Sequence, residues 1–389
     1  MSTAVQFGAG NIGRGFLGQL YFESGFDTVF VDVSKPVIDD LNRRGGYTIH
    51  IASESPWTID VARVSAIDGR DIDAVATAVS GAVVASTAVG QAALPHIAPV
   101  VARGVVQRLS KRNPVPLDIV VCENMIDAAK HLKAEVLKHV DPGLYGLVDS
   151  HIGFVDASIG RMVPATTEEQ RADDPLCVYV EEYCELPVDA EAFRGPIPAI
   201  AHLLPKKDFA GYVARKLYVH NAAHAATAYL GWVRGHEFIW EAIADPKVSH
   251  VVDLAMEESC EGLARAYRLD RAELRAHWDD LKFRFANKAL GDRIDRVARD
   301  PERKLGKEDR LIGAALMCER QGIEPKGLAI AAAAAIRYDH PDDPSAQRIQ
   351  ELYRREGFDG VISKVCGLDP GSAIARLIYD VLDISHRIN

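Results

Sequence analysis

The fold is decided near the start of the chain, by the stretch Val5-Gln6-Phe7-Gly8-Ala9-Gly10-Asn11-Ile12-Gly13-Arg14-Gly15. An apolar strand runs into glycines spaced G-x-G-x-x-G, and apolar residues at helical intervals follow them. In such a turn Gly8 permits the sharp bend, Gly10 lets the backbone approach a pyrophosphate, and Gly13 lets the helix lie close to the sheet. The N–H groups and positive dipole end of that helix suit an anion. The stretch therefore predicts a dinucleotide-binding strand–turn–helix unit.

A second predicted strand indicates which dinucleotide is bound. It reads Thr28-Val29-Phe30-Val31-Asp32-Val33, and Asp32 lies about 20 residues beyond the glycines, where an acidic side chain binds the ribose hydroxyls. A carboxylate at this place repels a 2′-phosphate, so we expect NAD rather than NADP. Further cofactor contacts are expected from the glycine turn and from the segment after the strand Ala82–Ser86, namely Asn11, Ile12, Thr87 and Val89. A strand–turn–helix that binds no nucleotide is the alternative.

Composition and charge restrict the class of protein. The length of 389 residues favours two domains. The formal net charge of −10 and the pI near 5.7 argue against nucleic acid or an anionic membrane as a partner. The six cysteines form no C-x-x-C pair, which argues against a disulfide framework or a zinc knuckle. The longest apolar run, Leu328 to Ile336, is too short to span a bilayer, and a first strand close to Met1 leaves no room for a signal peptide. We expect a cytoplasmic protein that acts on a small molecule; no pattern indicates its oligomeric state.

Two regions of different character follow one another along the chain. The first alternates short apolar runs with helical patterns, which is typical of a parallel sheet with helices on both faces. Beyond the core strands we expect antiparallel strands at Tyr47–Ile51 and Trp57–Val64, a helix from Met125 to about Val140, a strand near Gly146–Val148, and added strands at Gly160–Val163 and Cys177–Tyr183. From about Pro205 only long helical patterns appear. The predicted class is α/β plus all-α: a Rossmann-type doubly wound domain with added strands at 1–200, and a helical substrate domain at 201–389.

One predicted helix of the second region carries groups that a hydride-transferring enzyme needs besides its cofactor. At about 100° per residue, Lys216, Asn221 and His224 lie within roughly 140° of one another. Burial in a cleft lowers the pKa of a lysine toward neutrality, which suits a general acid–base. Two alternatives remain open. The helix is a buried structural element with one snorkelling lysine, or His220 and His224 at i,i+4 bind a metal, for which no third ligand is evident.

The chain resembles the polyol-specific long-chain dehydrogenases, the mannitol dehydrogenase family, over essentially its whole length. The resemblance rests on Phe7–Phe16 and on a series of later motifs: Cys122-Glu123-Asn124-Met125, His151–Asp156, Arg161–Pro164, Lys216-Leu217 with Asn221 and His224, Met256–Ser259, Arg284-Phe285 with Asn287, and Arg303-Lys304-Leu305 before Asp309-Arg310-Leu311. It implies an NAD-dependent, metal-independent oxidoreductase in which Lys216 handles the proton. It also implies that Asn124, Asn221 and His224 hold the reacting oxygen. Without the resemblance, Asn124 is interpreted as the N-cap of the following helix.

The compact size matches the phosphate-using members of this family, which implies D-mannitol 1-phosphate and D-fructose 6-phosphate as the substrate pair. A substrate phosphate requires fixed cations, for which we expect Arg303 and Lys304, with Arg310 behind them. Acidic residues are interspersed among these cations, so a solvated basic stretch is the alternative. Competing functions are mannitol 2-dehydrogenase and fructuronate or tagaturonate reductase within the family, and a catalytically idle NAD-binding protein outside it.

Overall fold

The computed structural model describes residues 2–125, 127–164, 166 and 168–388. The chain forms two compact units, Met1–Phe209 and Ala210–Asn389. The boundary expected from the sequence, between residues 200 and 201, falls before the last strand of the first unit, which ends at Lys206. Each unit has its own core and is described by itself.

The first unit is built on a six-stranded parallel sheet. Its strands, in spatial order, are β5 (Val64–Asp68), β2 (Asp27–Asp32), β1 (Thr3–Phe7), β6 (Val84–Thr87), β7 (Leu117–Val121) and β8 (Ile152–Asp156). This is the Rossmann strand order, with its reversal between β1 and β6. Neighbouring residues of a strand face opposite sides, so Val5 enters one apolar core and Ala4 enters the other. The predicted doubly wound sheet is confirmed.

The five further strands form two small sheets, and here several predictions fail. The predicted antiparallel pair is confirmed as β3 (Gly46–Ile51) with β4 (Trp57–Ala62). However, the backbone of Arg63 turns through the left-handed region at φ +59°, and the next residues form β5 of the main sheet instead of prolonging β4. Strand β9 (Val178–Val180) pairs with β3, not with the main sheet. Strands β10 (Leu186–Asp189) and β11 (Leu203–Lys206) pair in parallel with each other.

Two short apolar runs that were predicted to be strands do not form strands. Gly160–Val163 is not a strand, and the Gly146–Val148 run lies inside a helix that precedes β8. A short apolar run fits either element, because it is too brief for its periodicity to show. The helices of the first unit are α1 (Gly18–Glu23), α2 (Lys35–Arg44), α3 (Ile72–Gly81), α4 (Leu94–Leu109), α5 (Ala128–Leu137), α6 (Tyr145–His151) and α7 (Glu168–Asp173), with a π-helix at Gly13–Leu17 and 3₁₀ turns at Gln91–Ala93 and Pro142–Leu144.

The regular elements described in the second unit are all helices, as predicted. Its helices are α8 (Ala210–Arg215), a π-helix (Lys216–Asn221), α9 (Ala222–Val233), α10 (Ile239–Ala244), α11 (Pro246–Tyr267), α12 (Arg271–Phe285), a 3₁₀ turn (Lys288–Leu290), α13 (Ile294–Ala298), α14 (Pro301–Lys304), α15 (Ile312–Arg320), α16 (Lys326–Ile336), α17 (Pro344–Lys364) and α18 (Ala373–Ile388). The alanine-rich α16 is buried between α9, α11 and α18. No helix in the described ranges combines the length and apolarity needed to cross a membrane.

Candidate active site

The glycine turn has the geometry that a dinucleotide requires. Gly8 adopts φ +90°, and a Cβ atom there would lie 2.4 Å from the carbonyl oxygen of Ala88. A Cβ atom on Gly13 would lie 1.9 Å from the carbonyl oxygen of Gly8, so the helix approaches the turn too closely for any side chain. By contrast, a Cβ atom on Gly10 would meet nothing within 4 Å. Gly8 and Gly13 are therefore required by the protein's own packing, whereas Gly10 faces the open space that a ligand needs.

Buried polar atoms beside this turn also fit a cofactor. In the described part of the chain, Thr87 Oγ1 at the end of β6 and Arg14 Nε have no hydrogen-bond partner. Burial lowers the pKa of Arg14. Buried donors and acceptors are normally paired, so such atoms mark a place where a ligand or an ordered water completes the bonding. Asn11 is exposed and Ile12 is half-buried at the same turn.

Asp32 ties this turn to the second strand. Its Oδ2 accepts a hydrogen bond from Ala9 N–H at 2.7 Å, and its Oδ1 accepts from Val33 N–H at 2.8 Å and Ser34 N–H at 2.9 Å. A carboxylate offers about four acceptor positions. One position on Oδ2 therefore remains for a ribose hydroxyl, and the sequence-based role of Asp32 stays a prediction.

The sequence analysis did not identify Gln6, whose side chain holds the backbone of the glycine turn through hydrogen bonds. Its Nε2 donates to the carbonyl oxygens of Phe7 at 2.5 Å and Gly8 at 3.3 Å. Its Oε1 accepts from Ser86 Oγ, which in turn accepts from Tyr21 O–H at 2.6 Å. All three side chains are buried. The signal was present in the sequence, since a glutamine in the middle of an apolar strand needs internal partners.

Asn124 lies just beyond the carboxyl end of β7, the edge of the sheet where ligands bind in this fold. Its side chain is exposed. The interpretation of Asn124 as a helix cap is wrong, because α5 begins at Ala128 with Asp127 at the cap position. The predicted start of this helix at Met125 was too early for the same reason. Asn124 therefore does not cap α5.

The second unit presents Lys216, Asn221 and His224 along one continuous helical segment. The segment from Lys216 to Asn221 is a π-helix, not the α-helix assumed from the sequence. In a π-helix the hydrogen bonds join residues five apart, so residues five apart lie over one another. Lys216 and Asn221 consequently share one face, instead of diverging by roughly 140° as α-helical spacing predicts. Both side chains are half-buried.

His224 is oriented by a carboxylate that sequence reasoning missed. Its Nε2 lies 2.7 Å from Asp292 Oδ2, and Asp292 Oδ1 accepts from Arg296 Nε at 3.1 Å. Burial alone would raise the pKa of Asp292, but the charges and hydrogen bonds of His224 and Arg296 outweigh it and hold that pKa below its usual value. Because a carboxylate can only accept, Nε2 of His224 is the donor in this contact. The His224 ring stacks on Phe285, with centroids 4.9 Å apart.

Two histidines are held neutral here: His220, buried within the segment, and His277, half-buried on α12. Burial is the main cause that lowers the pKa of His220 well below its ordinary value, and the charge of Arg284 adds to it. Burial likewise lowers the pKa of His277 to about 3. Within the described residues, His, Cys, Asp and Glu form no group of three or more that could hold a metal ion.

The predicted phosphate ligands lie close together but are engaged within the protein. Arg303 forms ion pairs with Asp300 at 2.8 Å and with Asp309 at 3.5 Å, and Arg310 Nε pairs with Asp309 at 2.7 Å. Lys304 is buried and donates to the carbonyl oxygen of Arg299. Burial lowers the pKa of Lys304 to about 7.

The two units define the class of protein. A Rossmann-type sheet with a glycine turn suited to a dinucleotide, followed by a helical unit with a lysine, an asparagine and an oriented histidine, is the organisation of a nicotinamide-dependent dehydrogenase. Family models match both units: the mannitol dehydrogenase Rossmann domain at residues 2–202 and the mannitol dehydrogenase C-terminal domain at residues 208–357. The chain belongs to the mannitol dehydrogenase family, and with it to the NAD-dependent oxidoreductases that act on polyols.

Relatives support this membership over the whole length. The chain is 38% identical over 380 residues to a mannitol-1-phosphate 5-dehydrogenase of Bacillus licheniformis, covering 97% of this chain and 99% of that protein. It is also 38% identical over 377 residues to the enzyme of the same name from Brevibacillus brevis, covering 97% and 96%.

Solved structures at low identity share the fold. Mannitol 2-dehydrogenase of Pseudomonas fluorescens, in a ternary complex with NAD and D-mannitol, superposes with a TM-score of 0.75 at 17% identity, over 99% of this chain and 92% of that one. A substrate-free D-sorbitol dehydrogenase superposes with a TM-score of 0.82 at 17% identity, over 99% and 93%.

Proposed function

We propose that the protein interconverts D-mannitol 1-phosphate and D-fructose 6-phosphate with NAD, using Lys216 as general acid–base and no metal ion. The observation that carries the proposal is the π-helical alignment of Lys216 with Asn221, followed by the oriented His224. The choice of the phosphorylated substrate is supported by the two relatives named mannitol-1-phosphate 5-dehydrogenase.

Each candidate residue has a separate role in this reaction. When bound, NAD supplies the hydride acceptor for polyol oxidation. Lys216 removes the proton from the reacting hydroxyl and returns it in the reverse direction. Asn124 and Asn221 donate hydrogen bonds to that oxygen, where negative charge develops in the transition state. His224, oriented by the hydrogen bond between its Nε2 and Asp292, holds a neighbouring substrate hydroxyl through Nδ1.

For the phosphate, we favour Arg310 and Arg303 over Lys304. An arginine keeps its charge at every working pH, whereas a lysine with a pKa of about 7 is only half protonated at neutrality. Arg310 uses Nε for Asp309, which leaves the other guanidinium N–H groups for a planar contact with phosphate.

The test is NADH oxidation by the purified protein with fructose 6-phosphate, beside fructose, fructuronate and tagaturonate, with NADPH as the cofactor control. We expect turnover with fructose 6-phosphate and NADH that survives exhaustive chelation. Lys216→Met should abolish turnover while NADH binding is kept, and Arg310→Gln should raise KM for fructose 6-phosphate by about 10- to 100-fold. Activity confined to an unphosphorylated sugar or to a uronate would overturn the substrate assignment. Turnover by the Lys216 variant would overturn the assigned acid–base.

A further inference from the structure

Glu123 is a buried carboxylate whose two oxygens hold one short backbone segment. Its Oε1 accepts from Val89 N–H and its Oε2 from Gly90 N–H, each at 2.9 Å. The side chain is only 6% exposed. Among the described residues, no lysine, arginine or histidine forms an ion pair with it, and its two oxygens bond backbone N–H groups instead. A buried, ionisable side chain that serves only to fix two neighbouring N–H groups requires an explanation.

The segment that Glu123 holds lies at the cofactor end of the sheet. Val89 and Gly90 follow β6, which is the neighbour of β1 at the point where the strand order reverses. A dinucleotide lies across this point in a Rossmann fold. Gly90 adopts φ +89°, a conformation that other residues rarely adopt. Thr87, the last residue of β6, has a buried hydroxyl without a hydrogen-bond partner among the described residues.

Glu123 also lies next to the residue proposed to polarise the substrate. It follows β7, and Asn124 is its immediate neighbour. One carboxylate therefore connects the turn after β6 to the turn after β7. Two hydrogen bonds form this connection.

We propose that Glu123 is a positioning residue that sets the Val89–Gly90 turn for the dinucleotide and, through the adjoining backbone, sets Asn124 for the substrate. The proposal rests on the cofactor site and on the role of Asn124 proposed above. The backbone N–H of Val89 is bonded to Glu123 within the protein, and the expected contact of Val89 with the cofactor stays a prediction.

The helical unit contains a matched control. Glu258 is 7% exposed, and its two oxygens accept from Gly327 N–H at 2.8 Å and Leu328 N–H at 3.2 Å. It has the same chemistry as Glu123, but it joins α11 to the start of α16 and lies in the unit without the glycine turn. A purely structural carboxylate of this kind affects stability without affecting cofactor binding.

The experiment compares Glu123→Gln with Glu258→Gln in the full-length protein. Glutamine keeps the shape but offers one acceptor, and its NH₂ group opposes the second backbone N–H. For Glu123→Gln we expect Kd for NADH to rise by about 5- to 100-fold, the cost of one buried unsatisfied donor. We also expect lower kcat and faster hydrogen exchange at residues 87–93. For Glu258→Gln we expect a lower Tm with the same Kd for NADH.

The outcomes separate this proposal from the proposed function. NADH binding, followed by its fluorescence, and hydrogen exchange need no polyol, so a wrong substrate assignment leaves both readouts intact. If Glu123→Gln lowers Tm as Glu258→Gln does and leaves Kd for NADH unchanged, the positioning role is overturned. Should Glu123→Gln not fold, Glu123→Asp replaces it, because it keeps the charge but withdraws the carboxylate by one methylene. An unchanged Kd for NADH in that folded variant would likewise overturn the proposal.

Discussion

Single carboxylates hold the polar parts of both units in place. Asp32 joins the glycine turn to β2, Glu123 joins the turns after β6 and β7, and Asp292 orients His224. Each accepts hydrogen bonds from groups distant in sequence. At this scale the sequence supplied the residue types but not their partners, since Asp292 lies 68 residues beyond His224 and no spacing rule connects them.

Replacing Asp292 by asparagine tests whether the orientation of His224 matters for turnover. Asparagine fills the same space, but its NH₂ group can donate to Nε2 and so reverse the ring tautomer. We expect kcat/KM for the sugar phosphate to fall by about 10- to 100-fold, as for other residues that orient a functional histidine. Binding of NADH should not change. Steady-state kinetics with titration of NADH fluorescence measures both.

Asp245 provides the control for this substitution. It accepts from His236 Nε2 at 3.0 Å and Arg234 Nε at 3.1 Å, which repeats the arrangement around Asp292 elsewhere in the helical unit. Asp245→Asn should lower stability, because Asp245 also caps α11, but should leave kcat/KM within a factor of two or so. An equal loss of kcat/KM in both variants would show that Asp292 acts through general stability.

At the scale of elements, the main feature is a π-helical segment in the helix after the glycine turn and another in the helix that carries Lys216. In the first unit, Gly18 N–H donates to the carbonyl oxygen of Gly13, five residues earlier. In the second, the π-helix begins at Lys216 and ends at Asn221. Such segments insert one extra residue into a helix and are frequent at functional sites. Periodicity analysis assumes 3.6 residues per turn, so the sequence pattern alone did not indicate them.

The extra residue of the π-helix Lys216–Asn221 predicts that two single-residue deletions reduce kcat/KM by different amounts. Deleting Leu217 converts the π-helix to an α-helix and places the lysine and asparagine four apart, still on one face. We expect this variant to fold and to lose no more than about tenfold in kcat/KM, equivalent to roughly 1.4 kcal/mol. Deleting Ala223 from α9 instead rotates His224 away from Asn221, and should cost at least about 100-fold.

Circular dichroism and NADH binding serve as controls for both deletions, because the proposed cofactor residues lie in the other unit. Both variants should keep their helical content and their Kd for NADH. If deleting Leu217 abolishes turnover in a folded protein, the π-helix does more than align Lys216 with Asn221.

At the scale of the whole molecule, the proposed cofactor contacts all lie in Met1–Phe209, whereas Lys216, Asn221 and His224 all lie in Ala210–Asn389. Each unit buries its own apolar core, and the N-terminal one surrounds a complete Rossmann sheet. This division predicts that cofactor binding and turnover are separable.

We expect residues 1–209, produced alone, to fold and to bind NADH within about tenfold of the full-length Kd, a difference of roughly 1.4 kcal/mol, without turnover. Gly8→Ala in this fragment should abolish binding, because its Cβ atom would lie 2.4 Å from the carbonyl oxygen of Ala88. Gly25→Ala is the control, since Gly25 also has a positive φ, at +80°, but a Cβ atom there meets nothing within 4 Å. Fluorescence titration of the three fragments measures the effect. Loss of binding in the unsubstituted fragment, when folded, would contradict the division.

The sequence by itself determined those features that depend on residues close together in the chain. The glycine turn, the acidic end of β2, the change from alternating elements to helices, and the motifs around Lys216 and Asn124 were sufficient for the fold class, the family and NAD. These features are local because each depends on residues within one or two elements. The fold class, the family and NAD were predicted correctly for that reason.

Only the tertiary structure decided how distant residues combine. It separated β5 from β4 at Arg63, showed the π-helix at Lys216, and paired Glu123 with Val89 and Asp292 with His224. Short apolar runs fit more than one element, and the partner of a buried carboxylate depends on which strands and helices become neighbours. Hydrogen bonds and packing contacts across the folded chain determine both the element that a short run forms and the partner of a buried carboxylate. The periodicity of the sequence does not contain this information.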